Sequence, residues 1–388
     1  MHDLIIIGAG LAGSCLATVL SRQGWDVVLL ERRHLPQHKV CGEFLSPESQ
    51  ISLRALGLYD TVANLSPIHM DHAQLTTASG INMRVGLPGQ AWGLSRFVLD
   101  QVLLETAAQA GADTRTGATV GDVTTNDEGC TVEVRTQEGR YTLQSRTAIA
   151  ACGRHPPVGL RTTSDRTDLD DYQSHVGIKC HYEGITMPQR VEIYLFPGGY
   201  AGVAPVEGGR VNLCLLSTRA AFRSVGASHD AMLEAICQWN PSLGQRLAAG
   251  TKLPDTQVAV APVDVRRLPM PWDGVARVGD AVTMIPPLCG DGMAMAIRSA
   301  EMCAPLAHAF LSGECSLAEW EQRYTQMWHH ELDRPLRFGR WFQTLLSQPI
   351  RSNVLLSLGN LMPFLATKAV QATRVPRHAR DFNVGTLL

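Results

Sequence analysis

Leu4-Ile5-Ile6-Ile7-Gly8-Ala9-Gly10-Leu11-Ala12-Gly13 is a run of four apolar residues ending in glycines spaced G-x-G-x-x-G. Such a run fits a central strand of a parallel sheet, buried on both faces. In this pattern Gly8 makes the tight turn, Gly10 lets the backbone approach a pyrophosphate, and Gly13 lets helix and strand pack closely. A helix running on through Ala12 to about Leu20 turns free N–H groups and the positive end of its dipole toward the phosphates. The turn Gln23-Gly24, a second apolar run Val27–Leu30, and Glu31 follow, the last 18 residues after Gly13. Glu31 is placed to accept hydrogen bonds from ribose hydroxyls. The register of strand, helix, strand and carboxylate predicts a dinucleotide site, without separating NAD from FAD.

The rest of the 388 residues sets the limits of that reading. The chain is 45% hydrophobic and only 18% charged, with a formal net charge of −2, against about 25% charged in ordinary domains. A large interior divided among one to three domains is expected. A near-neutral balance without a strong basic run argues against nucleic acid as partner. None of the 10 cysteines is spaced C-x-x-C, which fits reduced thiols in a cytoplasmic protein. His69 and His72 form the one H-x-x-H pair; with no further ligand cluster near them, no metal site is expected. Asp3 stands where a secretion signal carries basic residues, so the apolar start is expected to be a strand. No run reaches the ~20 apolar residues of a membrane span.

Beyond Glu31 the sequence is charged and irregular: Arg32, then Lys39-Val40-Cys41-Gly42-Glu43. Far downstream, Gly274–Ala281 is a short strand ending in Gly279-Asp280. Pro286-Pro287-Leu288-Cys289-Gly290-Asp291-Gly292 then leads into a long helix from Met293. Leu94-Ser95-Arg96-Phe97-Val98-Leu99-Asp100 opens another helix. Together these pieces resemble the FAD-binding elements of the class A FAD-dependent oxidoreductases. That superfamily holds para-hydroxybenzoate hydroxylase-like monooxygenases, geranylgeranyl reductases and flavin-dependent halogenases. The resemblance implies FAD as cofactor, with Asp280 on a ribityl hydroxyl and Pro287, Gly290, Gly292 and Met293 at the flavin pyrimidine ring. Arg96 matches the Arg of an R-x-x-L-D helix that reaches the cofactor, and Val120 lies in the segment that holds adenine. The loop Val40-Cys41-Gly42 is expected beside the ring. Gly153 belongs to a mid-chain motif in which Cys152 replaces the Asp that the monooxygenases tie to NAD(P)H. NAD(P)H is the expected electron donor, with ferredoxin left open.

The implied fold is α/β. A Rossmann-like FAD-binding domain (1–72, 92–170, 262–315) is interleaved with an antiparallel-sheet substrate domain (73–91, 171–261), and a helical region (316–388) follows. Val191–Phe196, Tyr200–Val206 and Val211–Leu216 read as a three-strand meander, with a helix at His229–Trp239. In the resembled fold this sheet roofs the flavin, with Phe196 and Pro197 near the ring. Cys41, Glu43, Phe196 and Pro197 are the catalytic candidates, Glu43 as an acid or base. Helices are expected at Leu317–Leu332, Leu336–Leu346 and Asn353–Ala372. Their mixture of Arg and apolar residues suits a cap on a hydrophobic tunnel, a dimer surface in a monomer or homodimer, or peripheral membrane contact.

The first functional expectation is O₂-dependent hydroxylation of a lipophilic aromatic or polyketide-like molecule in a natural-product pathway, through a flavin C4a-hydroperoxide. That chemistry needs a dry site more than an acid–base dyad. The alternative is reduction of isoprenoid C=C bonds, toward which Cys41-Gly42 and Cys152 lean. A halogenase or a non-catalytic FAD protein ranks below both; no Trp pair has the halogenases' W-x-W spacing.

Overall fold

A computed structural model describes residues 1–160, 174–362, and 364, 367, 368, 372 and 374. The chain forms two eight-stranded sheets with helices, including a helical C-terminal region. The expected junction at 161–173, and residues 363, 365, 366 and 369–371 of the third expected C-terminal helix, lie outside the described residues.

The first sheet is built on His2–Ile7, parallel to Val27–Glu31 on one side and to Gly139–Ala150 on the other. Leu4 and Ile6 face a helical layer, whereas Ile5 and Ile7 face Val132 and Val134 of an antiparallel hairpin. Both faces are covered, so the strand is apolar at every position from Leu4 to Ile7. The helices Leu11–Arg22, Arg96–Gln109 and Gly292–Leu311 supply the helical layer. Ser95 caps the second of these, its Oγ accepting the Val98 N–H at 3.2 Å.

The second sheet runs in the order Thr251–Val263, His175–Glu183, Arg210–Thr218, Gly199–Val206, Arg190–Phe196, Ile68–Thr76, Asn82–Gly93, Phe44–Leu45. The expected three-strand meander is its centre. One pair, Arg190–Phe196 with Ile68–Thr76, is parallel, because Ile68–Thr76 enters from the other half of the chain. One face packs Ile178, Cys180, Tyr194 and Phe196 against Met232 and Ile236 of the helix His229–Trp239. The opposite face points at the first sheet.

The C-terminal region differs from expectation in one respect. Leu317–Leu346 is a single helix that runs through Pro335, although an interior proline costs roughly 3 kcal/mol. Tertiary packing outweighs that cost: Trp320, Trp328, Leu332, Leu336 and Leu346 are all buried along it. Arg298 adds a fork of two bonds to Glu331, at 2.8 and 2.7 Å. The next helix, Pro349–Leu361, starts earlier than expected, with Pro349 in its first turn. Trp320 is fully buried between Trp272 and Phe310, with ring centroids at 5.3 and 5.5 Å. Denaturant unfolding is expected to show that Trp320→Ala costs about 3–5 kcal/mol. Trp341→Ala, on the exposed side of the same helix, is expected to stay within about 0.5 kcal/mol of the parent.

Candidate functional site

A cavity of about 520 Å³ separates the two sheets. Its floor draws together stretches that are far apart in sequence: Gly10 and Ala12, Val40-Cys41-Gly42, Arg96, Gly153, Gly279-Asp280, and Pro287, Gly290, Gly292 and Met293. Its roof is apolar and comes from the second sheet, including Leu75, Val85, Ile193 and Leu216. Phe342, Leu346 and Leu356 of the C-terminal helices close the far end.

The three glycines of the first turn have separate geometric reasons. Gly8 has φ +108, and a Cβ there would lie 2.4 Å from the Ala151 carbonyl oxygen. A Cβ on Gly13 would sit 1.9 Å from the Gly8 oxygen. These two pack backbone against backbone. Gly10 opens onto the cavity instead; its added Cβ would meet only Arg96 Nη2, at 3.9 Å. A Cβ on Gly42 or Gly292 would meet nothing within 4 Å. Gly290, at φ +71, turns the chain so that the helix Gly292–Leu311 begins on the cavity wall. Asp280 reaches the same wall without a hydrogen-bond partner among the described residues, and burial pushes its carboxyl above the usual range. An unpartnered carboxylate, a helix N-terminus and glycines with open space before them fit a polyhydroxylated, phosphate-bearing cofactor.

Several expected residues lie elsewhere. Phe196 is on the far face of the sheet, packed on Trp239 at 5.9 Å, because it alternates with Ile193, which faces the cavity. Pro197 is exposed at the tip of its turn. Neither stands where a catalytic group would. Gly8, Gly13, Glu31, Arg32 and Val120 are outside the cavity wall. The Glu31 carboxylate accepts the N–H groups of Ala9 at 3.0 Å and Arg33 at 3.2 Å, so it also braces the turn. Arg32 is exposed beside it and Val120 packs on the hairpin core.

The segment from His38 to Glu43 carries features the sequence did not disclose. Glu43 is fully buried at φ +54, a left-handed backbone that is strained outside glycine. Its Oε1 accepts the backbone N–H of Arg96 at 3.0 Å and pairs with Lys179 Nζ at 3.0 Å. Its Oε2 accepts from His181 Nε2 at 2.6 Å. Burial alone would push the Glu43 carboxyl up; the His181 hydrogen bond and the Lys179 charge outweigh it and hold it below the usual range. Lys179 also donates to His38 Nδ1 at 3.0 Å, and burial followed by the Lys179 charge pushes the His38 imidazole down to about 4. Asn212 Nδ2 donates to the Cys41 carbonyl at 3.0 Å, and the Glu43 N–H donates to Cys41 Sγ at 3.4 Å. Burial outweighs the opposing Arg96 charge and pushes the Cys41 thiol up. Beneath the loop, Asp100 accepts two bonds from Arg96, at 2.6 and 2.8 Å, and one from Lys39 at 2.7 Å.

Lys179 and His181 stand two apart on a strand whose other face is core, opposite Cys214 and Asn212 of the next strand. Two ionisable residues at period-two spacing in an apolar strand were the available signal. His38, Glu43 and His181 offer ligand atoms within 4.8 Å of one another. The Lys179 ammonium is already paired with two of them, which opposes a metal cation there. At the other end of the floor, Arg374 pairs with Asp291 at 2.6 Å and lies over the Phe44 ring. Burial pushes the Asp291 carboxyl up to about 6, against the pull of Arg374.

The model of a family described as FAD binding domain matches residues 1–322. The chain belongs to that family. This places it among the class A FAD-dependent oxidoreductases, and FAD is its cofactor. The flavoprotein is 26% identical over 381 residues to digeranylgeranylglycerophospholipid reductase 1 of Methanopyrus kandleri, covering 95% of this chain and 97% of the relative. Its fold is similar to that of a geranylgeranyl bacteriochlorophyll reductase-like protein from Thermoplasma acidophilum, with TM-score 0.77, 18% identity and coverage of 100% and 99%. It is also similar to the flavin-dependent brominase Bmp2, with TM-score 0.76, 16% identity and coverage of 96% and 93%.

Gly13→Ala is expected to prevent folding of the first turn. Gly10→Ala keeps the parent far-UV circular dichroism but loses most of its FAD, read from the absorbance of the purified protein. Glu43→Gln leaves the Lys179 charge buried and unbalanced, an expected loss of about 3–5 kcal/mol; adding Lys179→Met recovers part of it. Because the Glu43 pKa is depressed on folding, its contribution is full above the ordinary Glu value near 4.3. It disappears as pH falls through the lower folded value. The stability gap between parent and Glu43→Gln should therefore close in acid.

Proposed function

We propose that this flavoprotein reduces C=C bonds in the prenyl chains of a lipid. The observation that carries the reading is the cavity itself, apolar from the Cys41 loop to the C-terminal helices, in a chain resembling a prenyl-lipid reductase along nearly its whole length. A long hydrocarbon gains about 0.8 kcal/mol for each CH₂ such a wall removes from water. The earlier expectation put hydroxylation of an aromatic or polyketide-like molecule first and reduction second; the named relatives favour the second.

Gly10, Gly42, Arg96, Gly153, Asp280 and the turn Gly290–Gly292 would hold the flavin and pyrophosphate, with Glu31, Arg32 and Val120 toward the adenosine. Reduced FAD supplies a hydride. The second sheet keeps water from the reacting carbons, which strengthens every dipole aimed at them. Cys41 keeps its proton at Sγ, because burial raises its pKa, and it lines the cavity; it is the group we assign to protonate the second carbon of the bond. Glu43, Lys179 and Asn212 fix the Cys41 backbone and so orient that thiol. NAD(P)H is the reductant to supply first. Ten free cysteines suit a reducing compartment such as the cytoplasm. No helix among the described residues is long and apolar enough to cross a membrane.

Incubated anaerobically with a reductant and a digeranylgeranyl lipid, the holoprotein is expected to add two hydrogens per double bond, read by mass spectrometry. Product formed only with O₂ and carrying an added oxygen would restore the hydroxylase. Cys41→Ala is expected to lower turnover by about 100-fold or more, the scale of a lost general acid, with FAD content unchanged. Parent-level turnover in that variant would remove Cys41 from the role.

A further inference from the structure

We propose that the outer face of the helix Pro349–Leu361, with the end of the helix before it, docks on an anionic lipid bilayer and opens the cavity to it. The inference rests on the lipid reading above and adds the surface through which the substrate arrives.

Of the twelve exposed large hydrophobic side chains among the described residues, seven fall between Trp341 and Phe364. Single exposed apolar residues are ordinary, but concentration on one element marks an interaction surface. Ile350, Val354, Leu358 and Leu361 recur at helical spacing, with exposures of 80, 53, 50 and 79%. The inner side of the same helix is already used. Leu356 is buried in the cavity wall, Asn353 Oδ1 accepts from Ser79 at 2.9 Å, and Asn360 Nδ2 donates to the Asn82 carbonyl at 2.7 Å. Leu358 both lines the cavity and is half exposed, so the apolar wall continues from cavity to surface at that residue.

Charge selects the occupant. From Arg334 to Arg380 the sequence has eight Lys or Arg and no Asp or Glu, in a protein whose net charge is −2. Arg334, Arg337, Arg351 and Lys368 are exposed around the apolar residues. An apolar stripe rimmed by cations, with a tryptophan at its edge, is suited to the boundary between acyl chains and anionic headgroups. A second copy of this chain would bring the same cations against themselves, which disfavours a symmetric dimer through this face.

The test is co-sedimentation of the FAD-loaded protein with vesicles of phosphatidylcholine alone or of phosphatidylcholine and phosphatidylglycerol in equal parts. The parent is expected to sediment with the anionic vesicles and to be released by salt. Arg351→Glu with Lys368→Glu should weaken binding by at least about 20-fold, on the scale of 1 kcal/mol for each basic residue near the surface. Ile350→Glu with Leu361→Glu should abolish binding, and these exposed changes should leave thermal unfolding as in the parent. Failure of the parent to bind anionic vesicles, or full binding by the Ile350/Leu361 variant, overturns the proposal. So does a dimer in analytical ultracentrifugation that the same variant dissolves. Vesicle binding is read without turnover, so a protein that docks but leaves prenyl lipid unreduced contradicts the proposed reaction alone.

Discussion

One buried carboxylate ties the two halves of the molecule together. Glu43 belongs to the loop that leaves the dinucleotide half, yet its oxygens are held by the Arg96 N–H from that half and by Lys179 and His181 from the opposite sheet. Each partner is fully buried or part of the backbone, so none of the three interactions is weakened by solvent in the way a surface ion pair is. The cost of desolvating Glu43 and Lys179 is offset only while all of them stay in place. The cluster therefore sets the spacing between the sheets at the Cys41 end, and with it the height of the cavity. It also holds the unfavourable φ of Glu43, which puts Cys41 and Gly42 on the cavity wall.

The rest of the site depends on that spacing. The floor is built from backbone: glycine turns, a helix N-terminus and an unpartnered Asp280. The roof is built from side chains on one face of the second sheet. The proposed hydride transfer needs both, since a cofactor held by fixed N–H groups gains from them only where water is excluded. The low charge of the whole chain has its counterpart here, because the charged side chains on the cavity wall are few: Glu43, Arg96, Arg154, Asp280 and Arg374.

The floor was legible in the sequence because its constraints are steric. A Cβ at Gly8 or Gly13 collides with backbone, and no other residue type satisfies those positions, so the spacing of glycines carries the geometry. The roof was less legible. Alternation along Val191–Phe196 correctly marked a strand with two faces, but Phe196 falls on the core face, and nothing local says which face meets a cofactor. Two of the Glu43 partners, Lys179 and His181, lie on one strand more than a hundred residues away, so only the oddity of two ionisable residues at that spacing could have pointed to them. The expected helices Leu317–Leu332 and Leu336–Leu346 are one helix, because helix propensity is local, whereas the packing that carries the chain through Pro335 is not. Hydroxylation and reduction were not separable, since both require the same dry, apolar cavity.

The most direct measurement of the central claim is rapid mixing of the dithionite-reduced holoprotein with a digeranylgeranyl lipid in the absence of O₂, following flavin absorbance. Reoxidation is expected at a rate that depends on lipid concentration, with one flavin oxidised for each double bond lost. Flavin that stays reduced until O₂ is admitted, whatever the lipid, would contradict that claim.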